Sequence, residues 1–148
     1  MHDLVDIDRL LNLAAGCEEA IRQRVDDLMR VQEELQVLDG STCTGREYWR
    51  DKDHPTKDAK LYVLHSIDEA CPLHGEPEPG DRLRVYVGSK SARIREARRA
   101  MELEDQRRCL EAQQGEIQRG LASCSYHLQS FYSLLGYTVG EDGQLEPR

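Results

Sequence analysis

The stretch from residue 4 to residue 40, LVDIDRLLNLAAGCEEAIRQRVDDLMRVQEELQVLDG, carries a heptad repeat that decides the architecture. One column of the repeat is Ile7, Ala14, Ile21, Leu28 and Leu35. The other column is Leu10, Cys17, Arg24, Val31 and Leu38, with one charged break. This spacing is typical of the seam of a coiled-coil helix. It predicts a helix from about Leu4 to Leu38, capped by Asp3 and ended by Asp39-Gly40.

A second long helix is predicted from Ser91 to Leu135, with a stop at Gly136. Its apolar residues recur at spacings of three, four or seven: Leu103, Leu110, Ile117, Leu121, Cys124, Leu128, Phe131 and Leu135. Two long helices on either side of a compact segment predict an antiparallel hairpin. Both chain ends would then lie at its base, and the segment between the helices would lie at its tip.

Residues 41–90 follow a different pattern, in which short runs alternate between apolar and polar side chains. Such runs at 47–50, 60–65 and 82–87 predict three short strands. The predicted fold is therefore mainly α: an antiparallel two-helix coiled-coil hairpin with a small three-stranded antiparallel β insert at its tip. In domain terms, residues 1–40 and 91–136 form one discontinuous helical domain, 41–90 form the insert, and 137–148 form a flexible tail.

The charge of the chain is unevenly distributed. The formal net charge is −8, so bulk attraction to nucleic acid is not expected. Residues 46–100, however, contain 12 basic and 10 acidic side chains, which leaves a charge of +2. The predicted insert and the start of the second helix are therefore the basic part of an acidic protein.

The base of the predicted hairpin is apolar. Residues 120–140 contain no Asp, Glu, Lys or Arg, but their Ser, His and Gln side chains are too polar for a membrane span. A lone pair of helices would expose this surface, so we expect a homo-oligomer formed through the base. The side chains expected there are Leu4, Ile7, Leu11, Leu128, Phe131, Tyr132 and Leu135. Ordinary packing within one chain is the alternative.

The tip of the predicted hairpin is basic and aromatic. Cations in the first turns of a helix oppose its dipole, so an anionic group should compensate them. A nucleic-acid phosphate or a protein partner could supply that charge. The residues predicted to bind it are Arg82, Arg84, Lys90, Arg93, Arg95, Arg98, Arg99, Trp49, Tyr62 and Tyr86. Alternatively, the arginines pair with acidic residues of the first helix: Asp26, Asp27, Glu33, Glu34 and Asp39.

The order of elements around the tip has a known counterpart. Three short strands with aromatic and basic residues precede a helix that begins Lys90-Ser91-Ala92-Arg93-Ile94-Arg95-Glu96-Ala97-Arg98. This arrangement resembles the arm-type DNA-binding domain of phage and transposon integrases. The resemblance covers about a third of the chain. It implies a DNA-binding role for this part of the chain in a mobile-element setting.

Cysteine and histidine residues in the insert suggest a metal. Cys71-x-x-His74 has the spacing of half a zinc knuckle, and Cys43, His54 and His65 lie in the same segment. Zinc held by Cys43, His65, Cys71 and His74 is the one cofactor that the sequence allows. The alternative is a packed loop cysteine beside a solvated histidine. The five cysteines show no disulfide framework, and the cytoplasm is the expected compartment.

No arrangement of residues indicates catalysis. The sequence shows no activated nucleophile and no glycine-rich phosphate loop, so we expect neither an enzyme nor a small-molecule substrate. The preferred interpretation is a non-enzymatic interaction protein that self-associates through its base and engages a macromolecule through its tip. Nucleic acid or a nucleic-acid-bound complex is the expected partner, and no membrane partner is expected. The alternatives are a small acidic phage-type inhibitor of a nucleic-acid-binding protein and a purely structural oligomer.

Overall fold

The computed structural model describes residues 6–67, 69–76 and 83–148. The predictions made for Leu4, Asp3 and Arg82 lie outside the described residues. The elements are α1 (Ile7–Leu38), β1 (Arg46–Arg50), β2 (Lys60–Leu64), β3 (Arg84–Gly88), α2 (Ser91–Leu134), β4 (Tyr137–Val139) and β5 (Leu145–Pro147). The two long helices and the small antiparallel sheet between them in the chain are therefore confirmed.

The chain divides into two compact units whose boundaries fall inside the helices. The first comprises residues 1–32 and 112–148, and we call it the helical unit. The second comprises residues 33–111, and we call it the sheet unit. Each unit therefore contains part of α1 and part of α2.

In the helical unit, α1 and α2 pack together along a shared groove. Side chains from residues 17–30 of α1 and residues 113–124 of α2 line this groove. The start of α1 is capped by Asp6, whose Oδ1 accepts a hydrogen bond from the Arg9 amide at 3.0 Å. Val31 and Ile117 are buried at 1% and 8% exposure. The finer heptad geometry of a coiled coil stays a prediction.

The helical unit exposes much of its apolar surface. Among the side chains predicted to form the base, Leu128 and Tyr132 are half-buried. The exposed members are Ile7, Leu11, Phe131 and Leu135, and they are joined by Leu10, Leu13, Tyr126 and Leu134. Within the described part of the chain, neither helix combines the length and apolarity that crossing a bilayer requires.

The C-terminal residues form a second, very small sheet. Gly136 ends α2 with φ of +87°, a left-handed conformation that favours glycine. Strands β4 and β5 then pair antiparallel, with Thr138 opposite Glu146. The predicted tail at 137–148 thus contains a hairpin that the sequence patterns did not indicate, and its flexibility stays a prediction.

The sheet unit is built from β1, β2 and β3 in that spatial order, with both pairs antiparallel. One face of the sheet packs against α2, and we call the opposite side the outer face. The buried cluster consists of Cys43, Val63, Cys71 and Ala100, with Val85, Val87, Ala97 and Met101 packed against it. A backbone hydrogen bond of 3.0 Å from Cys43 to Ala100 ties the loop after α1 to α2. This core is small for a sheet and a helix.

Candidate metal centre

Three chain segments meet at one end of the sheet. Cys43 lies in the loop before β1, and His65 directly follows β2. Antiparallel pairing of Arg46 with Leu64 brings these two segments together. Cys71 and His74 come from the next loop, between β2 and β3. The topology therefore gathers four potential ligands that are far apart in sequence.

The ligand atoms of these residues converge on one point. Cys43 Sγ lies 3.3 Å from His65 Nε2 and 3.5 Å from His74 Nδ1. His74 Nδ1 lies 3.6 Å from Cys71 Sγ and 3.2 Å from His65 Nε2. All four atoms lie within 4.8 Å of one another. Cys43, His65 and Cys71 are buried and His74 is half-buried. These four side chains, which we call the metal cluster, could hold one metal ion.

A tight turn positions Cys71 and His74. The backbones of Cys71 and Gly75 exchange two hydrogen bonds, of 2.8 and 2.7 Å, and Gly75 has φ of +88°. The Leu73 amide donates to the Thr42 carbonyl at 3.0 Å, which ties the turn to the segment that carries Cys43. The i, i+3 spacing thereby places both side chains on the same side of the loop.

The orientation of His65 is fixed by the backbone. Its Nδ1 lies 3.1 Å from the Leu83 carbonyl oxygen, which also accepts the His65 amide at 2.9 Å. A carbonyl can only accept, so Nδ1 carries the proton and donates. Nε2 is then left with a free lone pair that points into the metal cluster. Partners of this kind hold metal-binding histidines in the productive tautomer.

Burial controls the protonation of the cluster. It raises the pKa of the Cys43 thiol to about 12, against the opposing effect of the Gly45 amide. Burial also acts on Cys71, but amides including those of Thr44, His74 and Leu73 leave its pKa below the ordinary value. Burial and the neighbouring His65 lower the pKa of His74, which favours the neutral imidazole. A bound cation would offset the cost of ionising these buried thiols.

Gly45 permits the close approach of the ligand segments. A Cβ atom at this position would overlap Val63 Cγ1 and lie 3.0 Å from His65 Nε2. Its amide donates to Cys43 Sγ at 3.4 Å. Sequence reasoning missed this residue, for which the short Cys43-Thr44-Gly45 spacing was the one available signal.

A buried ion-pair network lies in the same unit and was also missed. Glu104 of α2 is 3% exposed and accepts from Arg107 Nε at 2.7 Å and Arg108 Nε at 3.2 Å. Burial alone would raise the pKa of Glu104, but the neighbouring side chains of Arg107, Thr42 and Arg108 hold it below the ordinary value. The carboxylate is one of the charges that raise the pKa of Cys43, which places it near the metal cluster.

His54 has a different role from the one that the sequence allowed. Its Nδ1 accepts hydrogen bonds from the amides of Thr56 at 3.1 Å and Lys57 at 2.9 Å. This nitrogen stabilises a turn in the β1–β2 loop. His65, rather than His54, is the histidine that joins Cys43.

The residues predicted to form the tip do not form one surface. Tyr62 and Tyr86 lie on the outer face, since they pair with each other and alternate with the buried Val63. Trp49 lies on the face that packs against α2, where the Arg98 guanidinium sits 6.0 Å from its ring centroid. The remaining cations of the set, Arg84, Lys90, Arg93, Arg95 and Arg99, are exposed.

The arginine pairs in the sheet unit differ from the predicted alternative. Arg98 pairs with Glu47 at 2.5 Å, and Arg99 pairs with Glu102 at 3.7 Å. Neither pair involves Glu33 or Glu34, the predicted partners that lie in the α1 part of the sheet unit. Among the described residues, Arg93 and Arg95 form no ion pair.

Comparisons with protein-family models, curated proteins and solved structures find no match to this chain. The resemblance to arm-type domains therefore has no support beyond the residues that suggested it. The function proposed below rests on the geometry of the described residues.

Proposed function

We propose that this chain is a non-enzymatic binding protein in which one Zn²⁺ ion folds the sheet unit for recognition of a macromolecule. Cys43, His65, Cys71 and His74 are the ligands. The observation that carries the proposal is the set of separations between their ligand atoms. Tetrahedral zinc, with sulfur at about 2.3 Å and nitrogen at about 2.05 Å, separates sulfur from nitrogen by about 3.6 Å and two nitrogens by about 3.3 Å. Three of the four sulfur–nitrogen distances are 3.3, 3.5 and 3.6 Å, and the nitrogen–nitrogen distance is 3.2 Å. The two remaining separations, Cys71 Sγ to His65 Nε2 and Cys43 Sγ to Cys71 Sγ, are within 4.8 Å.

The ligand chemistry favours zinc among the common ions. Two thiolates and two imidazoles form a soft and borderline donor set, whereas Mg²⁺ and Ca²⁺ require oxygen ligands. The four residues offer four donor atoms in a compact group. This set completes a tetrahedron and leaves no position for water or substrate, which is the mark of a structural site.

A structural metal meets a need of the sheet unit. Its buried cluster contains four residues, two of which are the proposed ligands Cys43 and Cys71. A domain with so small a core needs an additional source of stability, and zinc binding supplies folding free energy directly. In the proposed protein the ion joins the three segments whose strands present the outer face.

The helical unit is the basis of a second proposal, which is self-association. Its exposed apolar side chains include Leu134 at 86% and Ile7 at 64% exposure. A second copy of the chain would cover such a surface more effectively than solvent. We therefore propose a homo-oligomer formed through the helical unit.

Metal content tests the zinc proposal directly. The full chain is purified without added chelator, and zinc is measured by elemental mass spectrometry against protein concentration. We expect one zinc ion per chain in the wild type, and loss of zinc in Cys71→Ser. Cys109→Ser is the matched control, since Cys109 lies in the same unit but is exposed.

Cobalt substitution adds a spectroscopic measurement of the ligand set. Co²⁺ in place of zinc should give the visible absorption of tetrahedral coordination together with thiolate-to-metal charge transfer. The proposal is contradicted by a folded sheet unit that binds neither metal. A disulfide between Cys43 and Cys71 in freshly isolated protein would contradict it as well.

A further inference from the structure

The outer face of the sheet carries a row of tyrosines. Tyr48 of β1 pairs with Tyr62 of β2, and Tyr62 pairs with Tyr86 of β3, so the row crosses all three strands. The rings of Tyr62 and Tyr86 meet edge to face, with centroids 5.3 Å apart. Tyr48 and Tyr86 are 51% and 56% exposed. Two aromatic rings thus lie exposed at opposite edges of the sheet, about 10 Å apart by strand spacing.

Cationic side chains flank the tyrosine row on both sides. On one side Arg46 and Arg84 share a row with Leu64, and on the other side Arg50 pairs with Lys60. In the part of the chain that the structure describes, none of these four cations forms an ion pair. Arg98 on the opposite face is different, since Glu47 neutralises it.

The strand positions of the outer face contain no carboxylate. The outward residues are Arg46, Tyr48, Arg50, Lys60, Tyr62, Leu64, Arg84 and Tyr86. Glu47 of β1 lies on the opposite face, where it pairs with Arg98. Asp51, Asp53 and Asp58 lie in the β1–β2 loop beyond the Arg50–Lys60 pair. The face therefore combines positive charge with aromatic rings and has a single aliphatic side chain.

We propose that this face binds single-stranded nucleic acid, with bases stacked on Tyr48 and Tyr86 and phosphates beside the four cations. The inference rests on the proposed function, because the metal-folded sheet presents the face. Exposed aromatic rings within a basic surface are the features with which proteins hold unpaired bases and their backbone. A duplex keeps its base faces covered and offers nothing to stack on such rings. Four cations that form no ion pair among the described residues favour a partner with a regular row of negative charges, which nucleic-acid phosphates supply.

The tyrosines are tested by fluorescence anisotropy with labelled oligothymidine and oligouridine, using the zinc-loaded full chain. Alanine at Tyr48 or Tyr86 should weaken binding at least about fivefold, because each removes the stacking of one base. Tyr48→Phe and Tyr86→Phe keep the ring and should bind like the wild type. Tyr126→Ala, which removes a 69% exposed tyrosine of the helical unit, is the matched control and should have no effect.

The cations are tested by salt titration of two double variants with the same loss of charge. Arg46→Gln with Arg84→Gln should reduce the slope of log affinity against log salt by about 1.4, since each single-strand phosphate contact contributes about 0.7. Arg9→Gln with Arg119→Gln removes two exposed cations from the helical unit. This second variant should leave the slope unchanged.

Nuclear magnetic resonance of the wild-type protein keeps the test decisive if an alanine variant fails to fold. Addition of the oligonucleotide should shift resonances of Tyr48, Tyr62 and Tyr86. Shifts confined to α2, binding to duplex alone, equal binding of polyglutamate, or no binding by zinc-loaded protein would each overturn this inference and leave the zinc site standing. A metal-free but folded chain that binds single strands would reject the zinc site and support the outer face.

Discussion

The sheet unit and the helical unit both have a small core, and we propose a different source of stability for each. In the sheet unit, Cys43, His65 and Cys71 are buried at 3% exposure or less, and their donor atoms converge. In the described part of the helical unit, Val31 and Ile117 are the buried hydrophobic residues, while Leu134 is 86% exposed. On the two proposals above, a metal ion within the chain replaces the missing core of the sheet unit, and a second copy of the chain covers the exposed apolar side chains of the helical unit.

Metal removal should produce the largest difference in stability between the two units. Zinc binding contributes about 10 kcal/mol or more to the folding of small zinc domains, so a chelator should unfold the sheet. We expect amide hydrogen exchange to become fast for β1, β2 and β3, while the α1–α2 pairing of the helical unit keeps its protection. Loss of protection in both units together would show that they do not have separate sources of stability. Unchanged protection in the sheet would argue against the metal.

Charged substitutions in the helical unit should weaken the proposed self-association. Phe131→Asp with Leu135→Asp places two carboxylates on exposed apolar positions of the helical unit. Self-association should weaken by at least about 2 kcal/mol, or roughly 30-fold, as measured by sedimentation equilibrium. Val37→Asp is the control, since Val37 is 80% exposed but belongs to the sheet unit. A wild-type chain that stays monomeric at every concentration would contradict the proposed assembly.

Replacement of glycine by alanine should change the free energy of unfolding in opposite directions in the two units. Gly45→Ala should destabilise the sheet unit by about 1–3 kcal/mol, because the new methyl group overlaps Val63. Gly16→Ala in α1 meets no atom within 4 Å and should stabilise that helix by about 0.5–1 kcal/mol. Urea denaturation followed by circular dichroism measures both. Effects of the same sign would show that packing is not tighter around the metal cluster.

Acid should weaken the sheet unit through Glu104. Because its folded pKa lies below its ordinary value, the carboxylate adds stability above that ordinary value and loses it as pH falls through the folded pKa. Glu104→Gln should therefore cost about 1–2 kcal/mol at neutral pH, and the difference from wild type should shrink below about pH 4. Urea denaturation at several pH values measures this difference.

Glu47→Gln is the matched control for that prediction. The pKa of Glu47 is also lowered, by its pair with Arg98, but the side chains of that pair are 32% and 52% exposed. Solvent screens such a pair, so the substitution should have a smaller effect than Glu104→Gln. Equal effects would contradict the importance of burial at Glu104.

Local patterns predicted the elements of this fold well. The heptad columns indicated α1, and alternating side chains indicated β2 at 60–65, where the strand spans Lys60–Leu64. The β4–β5 hairpin was not predicted, because its three-residue strands are too short to show a period. The boundaries of the two units inside the helices were not predicted either, since no break in composition marks them there.

The site was predicted in part. Cys71 and His74 are three residues apart and were visible as a pair, but two histidines could have accompanied Cys43. The register of β1 against β2 decides in favour of His65, and register depends on tertiary contacts. For the same reason the tyrosine row was not visible as a row, although Tyr62 and Tyr86 were named as binding residues. Gly45 was missed because its role is to leave space.

X-ray absorption at the zinc edge of the purified full chain tests the central claim most directly. We predict a four-coordinate ion with two sulfur atoms at about 2.3 Å and two nitrogen atoms at about 2.0–2.1 Å. In Cys109→Ser, this first shell should be unchanged. A shell made of oxygen and nitrogen alone, or a folded chain without zinc, would contradict the account.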